Sequence, residues 1–286
     1  MSFSLRPPRP DELRRLSPFL SSQSLGPGWH PRVWEVPRPA RFVGAASWFL
    51  EPKTSSALAF FQLLPRYHTP ALALEMLRPL FAEISAAGAR DAHLILRNRE
   101  KWESLLRPFG IVWQHCDESW SGDPAICRAR LAASPLLRRA DKLAGWSVRP
   151  IADADWPVVS SWCVDTGFMT REHFDTLRAR HSPELSGLAI SPRGPAGFLF
   201  ATLRGATGVI EFLGANPALR SASAIASHLL LRRFVSCDAP ALAFDSVFLT
   251  TNPAKGRAAQ SLARRCGLQL AQTHHHFRGP LTALPG

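Results

Sequence analysis

The chain has 286 residues, of which 46% are hydrophobic and 20% are charged, a balance that excludes a disordered chain or a small disulfide scaffold. The length predicts two domains of about 100–200 residues each. The formal net charge of +12 comes almost entirely from arginine, which permits an acidic partner, a nucleic acid or a phosphorylated cofactor. No basic run reaches the length of a polybasic tract, so an arginine-rich coding bias explains the charge better than nucleic-acid binding.

Cysteine usage and hydropathy bear on location. The five cysteines are odd in number and contain no Cys-x-x-Cys pair, which argues against a disulfide framework and for a reducing compartment. The first residues lack the apolar core of a signal peptide, and no stretch of about 18 apolar residues exists. We therefore expect a cytoplasmic protein that does not span a membrane.

Two segments half a chain apart share one pattern. The chain reads Ser4-Leu5-Arg6-Pro7 near its start and Ser147-Val148-Arg149-Pro150 past its midpoint, and an acidic helix start follows each. Further pairs at nearly the same spacing are Phe42-Val43-Gly44 with Pro195-Ala196-Gly197, and Leu64-Pro65 with Asn216-Pro217. A period near half the chain predicts two copies of one domain.

In the first half, short apolar runs predict strands, and Asp11 and Thr69 are candidate helix N-caps. The predicted elements are strand Phe3–Leu5, helix Asp11–Phe19, strands Arg41–Leu50 and Ala57–Leu64, helix Pro70–Ala87, strand Asp91–Leu96, helix Arg97–Leu106 and strand Gly110–Gln114.

The second half follows the same order. The predicted elements are strand Trp146–Arg149, helices Asp153–Cys163 and Arg171–His181, strands Leu188–Ser191, Gly197–Leu203 and Thr207–Leu213, helix Ser221–Phe234, strand Leu242–Thr250, helix Ala254–Cys266 and strand Leu268–Phe277. Each half thus predicts a mixed α/β fold, with a mostly antiparallel sheet flanked by helices and a helical crossover late in the half.

The junction between the strand ending at Leu213 and the next helix is the best candidate site. A turn with Pro217 follows the strand, and Arg220 then precedes a run of small residues that opens an apolar helix. Small side chains let a ligand approach the backbone, and the N–H groups and dipole of a helix N-terminus favour an anion. The pattern is typical of a pyrophosphate cradle.

At these residues the chain resembles the GNAT superfamily of acyl-CoA-dependent N-acyltransferases. Ala224-Ile225-Ala226 is similar to the family's Gly-x-Gly/Ala, with Ser221 at the Gln/Arg position and Arg220 one residue early, and Ala215-Asn216-Pro217 is similar to its Val-x-Pro. The resemblance implies an acetyl-CoA or other acyl-CoA site that includes Leu213, Ala215, Arg220, Ser221, Ala222, Ser223, Ala224, Ile225, Ala226 and Asn252.

A second part of the resemblance lies downstream. Asn252, followed after one extra helical turn by Leu262-Ala263 and Gly267-Leu268, looks like the family's fifth-strand Asn and its Leu-Tyr-x-x-x-Gly-Phe helix end. Asn252 would bond the pantetheine arm. Ala263 stands where the family often has a tyrosine general acid, so the proton for the leaving thiolate would come from another group or from water.

Glu211 is the candidate general base. On a regular strand it shares a face with Leu213 and Ala215, and a carboxylate there could deprotonate an incoming ammonium, directly or through water. The alternative is a half-buried glutamate that pairs with one of the many arginines.

The first half carries fewer of these signals. Its junction, Leu64 to Leu74, contains no glycine, and Pro70 removes one N–H donor, while Leu72 and Leu74 are expected to face the core. We interpret it as a degenerate GNAT-like copy with structural or substrate-holding duties, in a tandem arrangement similar to mycothiol synthase. The predicted boundaries are an N-terminal domain at 1–122, a linker at 123–144 and an acyl-CoA-binding C-terminal domain at 145–286.

The run His274-His275-His276 invites a metal interpretation. On a strand only His274 and His276 share a face, and no Cys or Asp nearby in the sequence completes a site. The sequence therefore predicts exposed strand imidazoles and no metal site.

These patterns predict an N-acyltransferase, with acetyl as the favoured acyl group, that moves the acyl group from acyl-CoA to a small-molecule or peptide amine by direct attack in a ternary complex. Two alternatives stay open: a catalytically silent GNAT-like protein that binds acyl-CoA or an acidic partner, and a transferase that uses an aminoacyl-tRNA donor. The sequence leaves the acceptor amine, the acyl length and the oligomeric state undetermined.

Overall fold

The computed structural model describes residues 3–16, 20, 25, 27–37, 40–51, 54–67, 69–139, 143–237, 243–254 and 256–281. The chain divides into two compact units: Met1–Asp117 with Thr273–Gly286 forms unit 1, and Glu118–Gln272 forms unit 2. In the part of the chain that the structure describes, no helix has both the length and the apolar composition needed to cross a bilayer.

Unit 1 is a sheet flanked by helices. Within it β4 and β5 run parallel, whereas the pairs β1–β2, β2–β3, β3–β4 and β5–β12 are antiparallel. Its elements are β1 Ser4–Arg6, α1 Leu13–Leu16, β2 His30–Pro37, β3 Ala40–Glu51, β4 Ser56–Leu63, α2 Pro70–Ala86, β5 Asp91–Leu96, α3 Arg99–Leu106, the first part of β6 Val112–Gly122, and the last part of β12 Gln269–Pro280. Residues 17–19 of the first predicted helix lie outside the described residues.

Unit 2 repeats this plan. Here β10 and β11 run parallel, and the pairs β7–β8, β8–β9, β9–β10 and β11–β6 are antiparallel. Its further elements are α4 Pro124–Ala132, α5 Pro135–Arg138, β7 Ser147–Arg149, α6 Trp156–Ser160, α7 Arg171–Arg180, β8 Gly187–Ser191, β9 Gly194–Arg204, β10 Thr207–Ala215, α8 Ser223–Val235, β11 Ser246–Thr251 and α9 Arg257–Arg265. The predicted mixed, mostly antiparallel fold is confirmed in each unit.

The helix after the fourth strand supplies the core of each unit. In α2 the apolar residues Met76, Leu77, Leu80, Phe81 and Ile84 recur at helical spacing and are fully buried. In α8 an equivalent stripe runs from Ala226 to Phe234 and packs in the core of unit 2. Burial of this stripe fixes which face of the helix is left for a ligand.

The repeated Arg-Pro motif builds the same local structure twice. Arg6 makes two hydrogen bonds with Glu12, at 2.8 Å each, and Arg149 makes two with Asp155, at 2.5 and 2.7 Å. Each arginine also donates to the carbonyl of the following proline, Pro7 or Pro150. The motif ties the end of the first strand to the following turn in both units.

Unit 2 differs from the predicted C-terminal domain at both of its ends. Residues His275–Pro280 of β12 pair with β5, and Phe277 is fully buried in the core of unit 1. The last strand therefore groups with the first unit rather than with the expected domain 145–286.

The predicted linker also belongs to unit 2. Cys127, Leu131 and Leu137 of α4 and α5 are buried in its core, and Glu118–Gly122 pairs with β11. These helices are part of a packed layer rather than a connection. Residues 140–142 of the predicted linker lie outside the described residues.

Replacement of Phe277 by alanine should destabilise unit 1, since emptying the space of a buried phenylalanine costs about 3–5 kcal/mol. Leu270→Ala on the same strand is the control, because Leu270 is 48% exposed and its loss should cost less than about 0.5 kcal/mol. Urea unfolding followed by tryptophan fluorescence measures both. Equal effects of the two changes would contradict the placement of the last strand in the unit 1 core.

Arg6→Met should destabilise the protein more than Arg149→Met. Arg6 is 23% exposed and also bonds Glu35 at 2.7 Å, so its loss leaves two carboxylates without that partner, at a cost of about 1.5–3 kcal/mol. Arg149 is 44% exposed and holds one carboxylate, for which we expect about 0.2–1 kcal/mol.

The same arginine gives a pH dependence. The hydrogen bond from Arg6 lowers the pKa of Glu12 from 4.5 to about 2. A lowered pKa in the folded state means that this stabilisation is present above pH 4.5 and is lost as the pH falls toward 2. Urea unfolding of the wild type and Arg6→Met between pH 2 and 6 should therefore give curves that converge at the acid end; curves that stay parallel would count against the interaction.

Candidate active site

A cavity of about 590 Å³ opens in unit 2 where two parallel strands separate. Within the described residues, β10 pairs with β11 from Thr207 to Ile210, opposite Ser246 to Leu249. Glu211–Ala215, which follow the paired residues of β10, and Leu249–Asn252 at the end of β11 line the cavity. The backbone edge that β10 presents there is available to a ligand with amide groups.

A β-bulge marks the point of separation. The pairing of β10 with β9 shifts register between Ile210 and Phe212, which makes Glu211 the extra residue. The strand is therefore irregular at Glu211. The simple alternation that would place Glu211 on one face with Leu213 and Ala215 is interrupted there. A bulge bends its strand and increases its twist, which accounts for the divergence from β11.

The first turns of α8 form another wall of the cavity. Ser223, Ala224, Ser227 and His228 face it, and the helix begins at Ser223 without a side-chain cap. A 3₁₀ turn, Pro217–Ala222, leads into the helix and is started by Asn216, whose Oδ1 accepts the N–H of Ala218 at 2.9 Å. The positive end of the helix dipole thus borders the cavity, beside side chains that are small.

Glu211 is held by two neighbours on β9. Thr202 Oγ1 donates to its carboxylate at 2.9 Å, and Arg204 forms an ion pair with it. The side chain of Glu211 is 14% exposed, whereas that of Arg204 is 56% exposed. Glu211 therefore combines both expectations from the sequence: it lines the cavity, and it pairs with an arginine.

Comparison with solved structures relates this architecture to known proteins. A GCN5-related N-acetyltransferase from Sphaerobacter thermophilus is similar over 98% of this chain and 96% of its own, with a TM-score of 0.67 at 14% identity. A tandem GNAT protein from the clavulanic acid biosynthesis pathway is similar over 91% of this chain and 85% of its own, with a TM-score of 0.57 at 12% identity. The chain has the GNAT fold, in a tandem arrangement.

A further neighbour is the glucosamine N-acetyltransferase region of a fungal multi-domain β-N-acetylglucosaminidase, with a TM-score of 0.60 at 10% identity. It is similar over 97% of this chain but only 38% of the fungal chain. No family model and no curated protein matches the sequence. At these identities the likeness establishes the GNAT fold and leaves the activity to be argued from the site.

The structure brings together about half of the sequence-predicted site. The predicted residues that line the cavity are Glu211, Leu213, Ala215, Ser223, Ala224 and Asn252. The predicted residues that do not line it are Arg220, Ser221, Ala222, Ile225 and Ala226.

The residues outside the cavity have other surroundings. Arg220 and Ser221 are exposed on the 3₁₀ turn, whereas Ala222 is buried and Ile225 packs against the core. Ala226 is small for a packing reason, because a Cβ at Gly197 of β9 would lie only 3.0 Å from its own. The second small residue of the GNAT-like pattern here lets the helix approach the sheet.

Asn252 ends the opposite wall in a tight turn. Its Oδ1 accepts the N–H of Ala254 at 3.0 Å, and its carbonyl accepts the N–H of Gly256 at 2.6 Å. The turn leads into α9, from which Ala258, Ala259, Ser261, Leu262 and Arg265 also line the cavity. Arg265 gives the cavity a cation that the sequence analysis did not select.

Ala263 lies in the core of unit 2 and is 1% exposed. The neighbouring Leu262 faces the cavity instead. The position matched to the family's tyrosine thus carries no proton donor and packs inward in this GNAT fold.

His228 is a candidate that sequence reasoning missed. It lines the cavity although it is only 4% exposed, and its Nδ1 lies 2.7 Å from the carbonyl oxygen of Ala224. A carbonyl oxygen can only accept, so Nδ1 carries the proton and Nε2 is left with a lone pair in the neutral ring. Its position one helical turn after Ala224 is the signal that could have found it.

Unit 1 retains the fold of this junction but not its chemistry. Its parallel pair joins Ser56–Phe60 of β4 to Asp91–Ile95 of β5, and α2 begins at Pro70, which has no N–H to offer a ligand. Leu72 and Leu74 pack against the core, as expected. The small residues and the helix N-terminus that suit an anion are therefore found at this junction in unit 2 rather than in unit 1.

Proposed function

We propose that unit 2 binds acyl-CoA in the cavity between β10 and β11 and transfers the acyl group to an amine. The observation that carries this proposal is the separation of the parallel strands at the Glu211 bulge, beside an uncapped helix N-terminus. In a GNAT fold this places a strand edge and a helix N-terminus on one cavity. The strand edge suits the pantetheine arm of acyl-CoA, and the helix N-terminus suits its pyrophosphate.

The residues present fit such a ligand. The exposed edge of β10 from Phe212 to Ala215 offers backbone groups to the amides of a pantetheine arm, and Asn252 lies on the opposite wall. The start of α8, with Ser223 and Ala224, suits the pyrophosphate. Arg265 adds positive charge for a phosphate group.

Acyl-CoA supplies an activated thioester, and the protein supplies position and proton transfer. Glu211 accepts the proton of the amine as its nitrogen attacks the thioester carbonyl. The C–S bond then breaks, and the thiolate takes up a proton. That proton comes from water, since Ala263 leaves no phenol in this part of the site. His228 Nε2, which carries the lone pair, can accept a hydrogen bond from that water.

The acceptor belongs to the class of amines small enough to reach the bulge. Phe168, 68% exposed, stacks edge-on against Phe212 at a centroid distance of 5.9 Å and forms an apolar margin of the cavity. Glucosamine, named for the fungal neighbour, is a reasonable first acceptor to assay among primary amines.

A second candidate is an acyl-CoA-binding protein without turnover. The ion pair between Glu211 and Arg204 favours it, because Arg204 already occupies the carboxylate that an incoming ammonium would need. Both candidates require acyl-CoA to bind in the same cavity, so turnover is what separates them.

Ser223→Phe should weaken binding of CoA and acetyl-CoA at least tenfold, since its ring would occupy the cavity at the helix N-terminus. Ser221→Phe is the matched control, because Ser221 is exposed and lies outside the cavity. Ser223→Ala removes the hydrogen bond that Ser223 Oγ donates to the carbonyl of Arg220 without adding bulk. This variant should bind CoA and acetyl-CoA normally. Calorimetry measures all three; no binding to the wild type at millimolar concentration would reject the proposed function.

Glu211→Gln should leave acetyl-CoA binding within about twofold and slow acyl transfer by about 10²–10⁴-fold, the usual contribution of a general base. The amide retains an oxygen that can accept from Thr202, so the bulge should persist. Release of free thiol from acetyl-CoA in the presence of primary amines gives the rate. Unchanged turnover would remove Glu211 from the mechanism, and no turnover in the wild type would favour the silent binding protein.

A further inference from the structure

Unit 1 contains a cluster of histidine and aspartate side chains that the acyl-transfer proposal does not use. His115 and Asp117 are two residues apart on β6 and so point to the same face of the strand. His276 comes from β12. One nitrogen of each imidazole and one carboxylate oxygen lie within 4.8 Å of one another.

The distances are close to those of a coordinated ion. His276 Nε2 lies 3.1 Å from Asp117 Oδ2. Two ligands bound at about 2.0–2.2 Å in tetrahedral geometry are themselves about 3.3–3.6 Å apart. The His276–Asp117 pair is thus within about 0.5 Å of the spacing of two ligands.

The third ligand, His115, requires one of two stacked rings to rotate. The rings of His115 and His276 stack at a centroid distance of 4.3 Å and an interplanar angle of 10°. An ion bound by both must lie near both ring planes, so one ring has to tilt. His115 is partly exposed, whereas His276 is only 9% exposed and contacts both His93 and Asp117, so we take His115 as the ring that turns.

His93 of β5 holds His276 from the other side. Its Nε2 lies 2.9 Å from His276 Nδ1. If His276 Nδ1–H donates to His93, His276 Nε2 is left with the lone pair that a metal requires. A ligating histidine commonly donates its other ring N–H to an outer acceptor, which fixes both the tautomer and the ring orientation; here that acceptor is a second imidazole.

We propose that unit 1 binds a divalent transition-metal ion through His115, Asp117 and His276, with His93 as the positioning residue for His276. Two imidazoles and one carboxylate suit zinc or a neighbouring first-row ion and do not suit Mg²⁺ or Ca²⁺, which prefer oxygen ligands. Three protein ligands leave a coordination position for water or a small substrate.

The test uses the untagged full-length chain and Zn²⁺ as the probe, without CoA. Calorimetry should give one Zn²⁺ per chain, and Co²⁺ should give the visible absorption of a bound ion. Asp117→Asn, His115→Gln and His276→Gln should each weaken binding at least tenfold. His275→Gln is the matched control, since His275 neighbours His276 but is not in the cluster, and it should bind like the wild type.

The role of His93 is tested separately. His93→Leu should weaken Zn²⁺ binding about tenfold, as expected for a lost outer contact, and should shift the Co²⁺ spectrum. His93→Gln should restore both, because its amide oxygen can accept the proton of His276 Nδ1. If His93→Leu loses Zn²⁺ affinity but leaves the Co²⁺ spectrum unshifted, His93 only packs against His276 and does not position it.

Two results would overturn the site. Absence of stoichiometric Zn²⁺ binding to the folded wild type would show that the cluster is a hydrogen-bonded chain of Asp117, His276 and His93. Binding that survives Asp117→Asn and His115→Gln would place the ion elsewhere. Ser223→Phe should bind Zn²⁺ normally, so failure of the metal site and failure of the acyl-CoA site are distinguishable.

Discussion

The separation of β10 from β11 after Ile210 is the constraint on which the candidate active site depends. Four residue pairs join the two strands, and then the bulge at Glu211 turns β10 away. A bulge of this kind needs packing to hold it, because it interrupts the ladder of hydrogen bonds. The aromatic rings of Phe198 and Phe212, stacked at 5.6 Å, supply that packing on one side of the strand. Gly214 leaves the space that Phe198 occupies, since a Cβ there would overlap the ring.

The two units show which parts of a duplicated fold resist change. Both keep the Arg-Pro strand end and its carboxylate partner, and both keep a parallel pair of strands followed by a core helix. These features serve the fold itself. At the start of the core helix the units differ, with Pro70 in unit 1 and Ser223 in unit 2. The residues at the start of the core helix therefore diverged more readily than the residues that pack the fold. The binding cavity of unit 2 can accordingly be argued from the residues that line it.

Patterns local in sequence predicted the fold and about half of the candidate active site. Strand and helix periodicity located β10 and α8, and the small residues at Ser223 and Ala224 pointed to the cavity. The same smallness misled at Ala226, because a small residue fits close packing against Gly197 as well as it fits a ligand. The bulge at Glu211 gave no signal in the sequence, since register against β9 is decided by the partner strand.

The histidine cluster escaped the sequence for a reason rooted in topology. The predicted strand ended at Gln114, whereas β6 continues to Gly122 through polar residues that include His115 and Asp117. The sequence neighbours of His276 include no carboxylate partner, because Asp117 lies more than 150 residues away. Because the last strand returns to β5, both ends of the chain are needed to complete unit 1. Closing so long a loop costs entropy, so a metal ion bound by His115, Asp117 and His276 would stabilise the paired state of the last strand.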